Sequence, residues 1–124
     1  MNKVLIVDDD TDFIDTLKDS IKERMKNIDV ICAKNVKEAI SVLTDNIPDL
    51  IISDVQLGDM HGIDFLKIIK NSKKLTSIPV IMISAKYLEP NDRVSALKAG
   101  AVAYFSKPFD VEKLCDEIKY YVKE

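Results

Sequence analysis

The chain offers no basic footprint, no long apolar run and no pattern of cysteines, and each absence removes a class of function. Lysine and arginine number 18 against 21 aspartates and glutamates, a formal net charge of −3 at pH 7. So mild a balance argues against direct nucleic-acid binding and against a polybasic membrane contact. Between Met1-Asn2-Lys3 and a run of three aspartates lie only Val4, Leu5, Ile6 and Val7, too few for the apolar region of a secretion signal. No later run approaches the length of a membrane span. Cys32 and Cys115 share no metal-ligand spacing, and each sits in an apolar periodic segment. Both are expected to be reduced core residues of a cytoplasmic protein.

What is present suits a single domain over residues 1–124, with 47% apolar and 31% charged residues. Short unbroken apolar runs, Val4 to Val7, Leu50 to Ile52 and Val80 to Ile83, are rich in β-branched residues and read as strands buried on both faces. Ile28 to Ala33 and Val102 to Phe105 are weaker strand candidates, expected toward the sheet edges. Five amphipathic stretches alternate with these runs. Their apolar faces are Ile14, Leu17 and Ile21; Val36, Ile40 and Leu43; Phe65, Leu66 and Ile69; Val94, Leu97 and Ala99; and Val111, Leu114, Ile118 and Val122. Asn35 and Asp110 are placed to cap helices, Pro90 to open one and Gly100 to end one. Five βα units predict an α/β three-layer (βα)5 sandwich, flavodoxin-like, with a parallel sheet in the order 2-1-3-4-5. Ligands of such sheets bind beyond the carboxyl ends of the strands, at the switch point between the first and third.

The predicted strand ends carry an unusual set. Asp8, Asp9 and Asp10 follow the first, Ser53-Asp54 ends the third, Ser84-Ala85 the fourth, and the fifth leads to Ser106-Lys107-Pro108. Singly, each has an ordinary explanation: an aspartate capping a helix, a turn serine, a solvated lysine. Together they gather several carboxylates in one crevice, where repulsion calls for a hard divalent cation, Mg²⁺ by default. A carboxylate acceptor, a hydroxyl and a lysine complete the inventory for phosphoryl transfer, whose catalysis is mostly positioning and charge neutralisation.

With Val4-Leu5-Ile6-Val7-Asp8-Asp9-Asp10, Asp54-Val55-Gln56-Leu57 continuing to Gly62, Ser84-Ala85, and Gly100-Ala101 through Tyr104-Phe105-Ser106-Lys107-Pro108-Phe109, the chain resembles a response-regulator receiver domain of two-component signalling, from Lys3 to Val122. The resemblance implies a phosphorylation-dependent switch that accepts a phosphoryl group on Asp54 from a histidine kinase or a histidine phosphotransfer protein. It implies that Asp9, Asp54 and the Gln56 carbonyl coordinate Mg²⁺, with Asp8 acting mainly through water. Lys107 would pair with the phosphoryl oxygens and Ser84 would donate a hydrogen bond to one. Tyr104 matches the aromatic switch position, where an ordinary half-buried edge aromatic is expected between switching events, and Lys107-Pro108 is a candidate cis bond. The face built from the fourth helix, fifth strand and fifth helix would regulate a downstream protein target or an output domain, as a monomer or a phosphorylation-dependent dimer. Beyond its own phosphorylation and dephosphorylation the chain is expected to catalyse nothing.

Gly58 stands where receivers often carry proline, so a less rigid loop is expected. His61 precedes Gly62 where small polar or acidic residues are commoner, and is read as a solvated loop residue. Gln56 and Lys86 occupy positions that influence acyl-phosphate lifetime in receivers. The rival reading is a Mg²⁺-dependent aspartate-nucleophile phosphohydrolase of the haloacid-dehalogenase type. It would need Thr or Val four residues after a nucleophilic Asp8, where Asp12 stands, and an acidic pair at a strand end beyond the lysine, whereas Asp110 and Glu112 open the last helix. A flavin carrier would need hydroxyl-rich phosphate loops where the three aspartates stand. A receiver-like module that is never phosphorylated would lack part of the set.

Overall fold

The computed structural model describes residues 2–84 and 90–122, so Ala85 and Lys86 lie outside the described residues. Strands and helices alternate as β1 (Asn2–Val7), α1 (Thr11–Arg24), β2 (Ile28–Ala33), α2 (Val36–Asp45), β3 (Leu50–Asp54), α3 (Gly62–Asn71), β4 (Val80–Ser84), α4 (Pro90–Ala99), β5 (Ala103–Ser106) and α5 (Val111–Tyr121). Every strand pairing is parallel and the sheet order is β2-β1-β3-β4-β5, as the βα alternation predicts.

Successive strand residues face opposite sides of the sheet, and this alternation builds two cores. Leu5, Val7, Ile51 and Met82 pack with the apolar residues of α2 and α3. Val4, Ile6, Leu50, Ile52, Ile81 and Ile83 pack with α1 and α5. Because both faces are covered, β3 and β4 are buried at every position, which is why their sequences show no polar alternation.

Caps hold the helix starts. Asp10, Asn35 and Asp110 accept from the amides of Phe13, Glu38 and Glu112. Gly100, at φ +114°, follows α4 in a backbone conformation that side chains disfavour.

Some expected core residues lie outside it. Val94, Leu97 and Ile40 are exposed, while Ala96 and Ala39 are fully buried. The helices turn their alanines inward, which lets them approach closely. Ile40 and Leu97, one residue on and about 100° around the axis, then turn toward solvent, and Val94, two residues before Ala96, lies on nearly the opposite side of its helix. Cys115 is buried, but Cys32, on the edge strand β2, is only partly covered, and both thiols are free. The last strand runs one residue later than expected, ending at Ser106. No helix among the described residues is long and apolar enough to cross a membrane.

Candidate functional site

The parallel register brings the chemistry-bearing strand ends side by side. Val7 pairs with Ser53, Asp54 with Ile83 and Ser84 with Ser106, so Asp8, Asp54, Ser84 and Lys107 come to lie along the same edge of the sheet. A cavity of about 360 Å³ opens there, lined by Asp8, Asp9, Asp10, Asp54, Gln56, Leu57, Gly58 and Lys107. A larger groove, about 460 Å³, runs along α5 from Lys113 to Tyr121, and among the described residues it gathers those of that helix.

Carboxylate oxygens of Asp8, Asp9 and Asp54 lie within 4.8 Å of one another. Asp8 and Asp54 are buried, whereas Asp9 is exposed. Asp8 is engaged on both oxygens: Oδ1 accepts from the Asp10 amide at 2.9 Å, and Oδ2 from Lys107 Nζ at 3.3 Å. Burial raises its pKa, opposed by the Asp10 amide and by Lys107. The Asp54 carboxyl is pushed up to about 6, first by burial and then by the Asp8 charge, although the Gln56 amide and Lys107 pull the other way. The Gln56 amide donates to Asp54 Oδ1 at 3.2 Å.

This is a donor set that fits Mg²⁺. Three convergent carboxylates share the pocket with the Lys107 ammonium, and the buried Asp54 is reluctant to ionise without a further positive charge. Asp9, Asp54 and the Gln56 carbonyl are the groups that would hold the ion. Asp8 already has its oxygens occupied, so it is the least available as a direct ligand.

Ser84 is buried at the end of β4, and its carbonyl accepts from the Lys107 amide at 2.9 Å, which ties the serine and lysine strand ends together. Lys107-Pro108 is cis, as the sequence suggests. Tyr104 departs from expectation: it is buried, at 7% exposure, rather than half-buried. Burial raises its phenol pKa. The nearby Ser84 hydroxyl opposes that rise, yet it falls short of hydrogen-bond geometry, and among the described residues the buried Tyr104 hydroxyl has no partner.

Three contacts go beyond the expectations drawn from the sequence. Asp59, in the loop after the acceptor, accepts from the amides of Val36 and Lys37 at 3.0 Å each, bracing that loop on the start of α2. His61 is exposed as expected, but it is not idle: its Nδ1 accepts from the Ile63 amide at 3.2 Å and so caps α3. The ring of Phe13 lies under Lys107, with Nζ 3.7 Å from its centroid. A histidine followed by Gly62 and an apolar run is a readable cap signal; the other two contacts join segments distant in sequence.

Comparison with known proteins agrees with this geometry. Residues 4–119 match the family described as the response regulator receiver domain. The chain is 38% identical to the transcriptional regulatory protein CpxR of Escherichia coli over 119 residues, covering 96% of this chain and 48% of CpxR. It is 34% identical to the sensory transduction protein LytT of Bacillus anthracis, covering all of this chain and 48% of LytT. The chain thus spans about half the length of these curated relatives. Among solved structures, a two-component response regulator from Clostridium difficile superposes with a TM-score of 0.87 at 30% identity, covering 98% of this chain and 95% of that one. Nothing in the fold or the family match supports the phosphohydrolase alternative. The chain belongs to the response-regulator receiver domains of two-component signalling.

Proposed function

We propose that the domain is switched by phosphorylation of Asp54, with Mg²⁺ held by Asp9, Asp54 and the Gln56 carbonyl and with Asp8 reaching the ion through water. The observation that carries this reading is the convergence of the Asp8, Asp9 and Asp54 oxygens within 4.8 Å beside the Lys107 ammonium. An Asp54 oxygen attacks phosphorus in line, the bond from phosphorus to the donor's histidine nitrogen breaks, and the imidazole leaves with its electron pair and takes up a proton. Lys107 neutralises charge on the phosphoryl oxygens and the Ser84 hydroxyl donates to one of them. When bound, Mg²⁺ supplies Lewis-acid neutralisation of the remaining oxygens.

The donor is a histidine kinase or histidine phosphotransfer protein. CpxR is a transcriptional regulatory protein, and a similar solved receiver belongs to a signal transduction histidine kinase of Syntrophus aciditrophicus, both consistent with a phosphorelay partner. Output passes through the face of α4, β5 and α5, with Ser84 and Tyr104 as the switch pair, to a protein target or an attached output domain, from a cytoplasmic location. Val94, Leu97 and Val102 expose apolar surface on this face, which suits a protein partner.

Given Mg²⁺ and a small phosphodonor, the protein is expected to gain one phosphoryl mass that is labile to base. Asp54→Asn should abolish that gain. Full labelling of Asp54→Asn, with none on Asp8→Asn, would move the nucleophile to Asp8 and favour the phosphohydrolase chemistry instead.

A further inference from the structure

Lys107 carries its ammonium on a flexible four-carbon stem, so the charge has to be held over the crevice before it can serve an incoming phosphoryl group. Among the described residues two contacts hold it: Asp8 Oδ2 at 3.3 Å, and the face of Phe13, whose centroid is 3.7 Å from Nζ. We propose that Phe13 is a positioning residue for phosphoryl binding, its ring keeping the Lys107 ammonium over the crevice when a bound cation draws on the Asp8 charge. The proposal rests on the reading of the site given above.

The two contacts respond differently to a cation. Asp8 belongs to the acidic cluster, so a divalent ion there competes with Lys107 for the same carboxylate and also repels the ammonium. The attraction between an ammonium and an aromatic face arises from the ring's quadrupole and survives that competition. The ring is itself fixed. Phe13 sits in the first turn of α1 and meets Phe109 edge to face, with centroids 6.0 Å apart and planes at 82°. Phe109 in turn packs against Phe105 at 5.9 Å. These two phenylalanines flank Lys107 two residues away on either side, so ring and lysine share one frame of α1 and the end of β5. Phe13 is only partly buried, and its position explains what a ring adds that an aliphatic side chain would not. Leucine could keep the contact with Phe109 but would offer Lys107 no negative face.

The test compares wild type, Phe13→Leu and Phe13→Tyr, the last retaining the aromatic face. In metal-free protein, the Lys107 ε-methylene protons should resonate upfield in wild type and in Phe13→Tyr, and return to ordinary positions in Phe13→Leu. With Mg²⁺ and beryllofluoride as the phosphoryl mimic, Phe13→Leu should bind about threefold to tenfold more weakly than wild type, with Phe13→Tyr close to wild type. In a Lys107→Met background the same Phe13→Leu change should cost nothing further. Equal affinity of wild type and Phe13→Leu would overturn the proposal, as would an equal loss in the Lys107→Met background or a loss in Phe13→Tyr as large as in Phe13→Leu. Failure of wild type to bind beryllofluoride better than Asp54→Asn would instead overturn the reading of the site itself.

Discussion

Burial and like charge act on Asp54 in the same direction, and the consequence is a dependence on pH opposite to that of most aspartates. Its folded pKa of about 6 lies above the ordinary 3.8, so the native state holds the proton more tightly than the unfolded chain does. The associated stability is complete below about pH 4 and is lost as pH rises through about 6, a loss on the order of 2–3 kcal/mol. Asp8, also raised by burial, acts with the same sign. In metal-free protein, Asp54→Asn should therefore gain in melting temperature over wild type as pH climbs from about 4 to 7, in a series of thermal melts. A constant difference across that range would mean that Asp54 ionises freely. If the site holds Mg²⁺ as proposed, the ion binds the folded state alone and should raise the wild-type melting temperature by mass action. Asp9→Asn should melt higher than wild type without metal and respond little to it; identical metal responses would remove Asp9 from the ligand set.

At the scale of elements, the loop from Asp54 to Gly62 is fixed at both ends and braced in the middle. The Gly62 amide donates to the Val55 carbonyl, Gln56 bridges to His61, and Asp59 docks on α2. A Cβ at Gly62 would lie 2.2 Å from the Asp54 carbonyl oxygen and 2.8 Å from Val55 Cα, both backbone, so nothing flexible can yield. Gly62→Ala should lose about 2 kcal/mol or more in denaturant unfolding and slow phosphorylation at Asp54, because relief requires moving the acceptor's own backbone. Stability within about 0.5 kcal/mol of wild type would show that α3 can slide away freely. Proline is absent at Gly58, yet Asp59 braces the same loop from outside. Asp59→Ala should leave the global melt nearly unchanged while speeding hydrogen exchange at the Val36 and Lys37 amides. Much of this architecture was legible in advance. Strand runs such as Val80 to Ile83 announce two-sided burial by lacking polar alternation, and Asn35 and Asp110 stand where caps must. The acidic cluster could be read because each member follows a recognisable strand. The Asp59 clamp and the Phe13 contact could not, because they depend on how separate βα units pack and not on spacing within one. For the same reason the inward alanines of α2 and α4 do not stand out in the sequence beside the larger Ile40, Val94 and Leu97.

For the molecule as a whole, the question is how charge placed on Asp54 alters the α4, β5 and α5 face. A phosphoryl group adds about −1.5 to −2 charges and three acceptor oxygens. Lys107 is held by Asp8 and Phe13 within the crevice, and its amide is tied to the carbonyl of Ser84, so a move of one strand end is felt by the next. Tyr104 is already buried beside Ser84, with a hydroxyl that no described residue satisfies. The buried arrangement therefore does not await phosphorylation to form. On the proposed switch, phosphorylation would act on its population: a Ser84 hydroxyl drawn toward a phosphoryl oxygen would leave room that favours the inward phenol over outward alternatives, since packed interiors tolerate few voids. Two states differing in the Tyr104 position would then present different α4 surfaces, including the exposed Val94 and Leu97. Amide spectra with and without Mg²⁺ and beryllofluoride should thus shift not only around Asp54 but also from 94 to 99 and around Tyr104. Ser84→Ala should still bind the mimic, more weakly, with smaller shifts at those distant amides. Tyr104→Phe, which removes the unsatisfied hydroxyl, should favour the buried state, so that its spectrum without the mimic lies closer to the phosphorylated one. Shifts confined to the crevice in wild type would show that the phosphoryl group acts as local charge alone, and that the apolar α4 surface is regulated by something other than Tyr104.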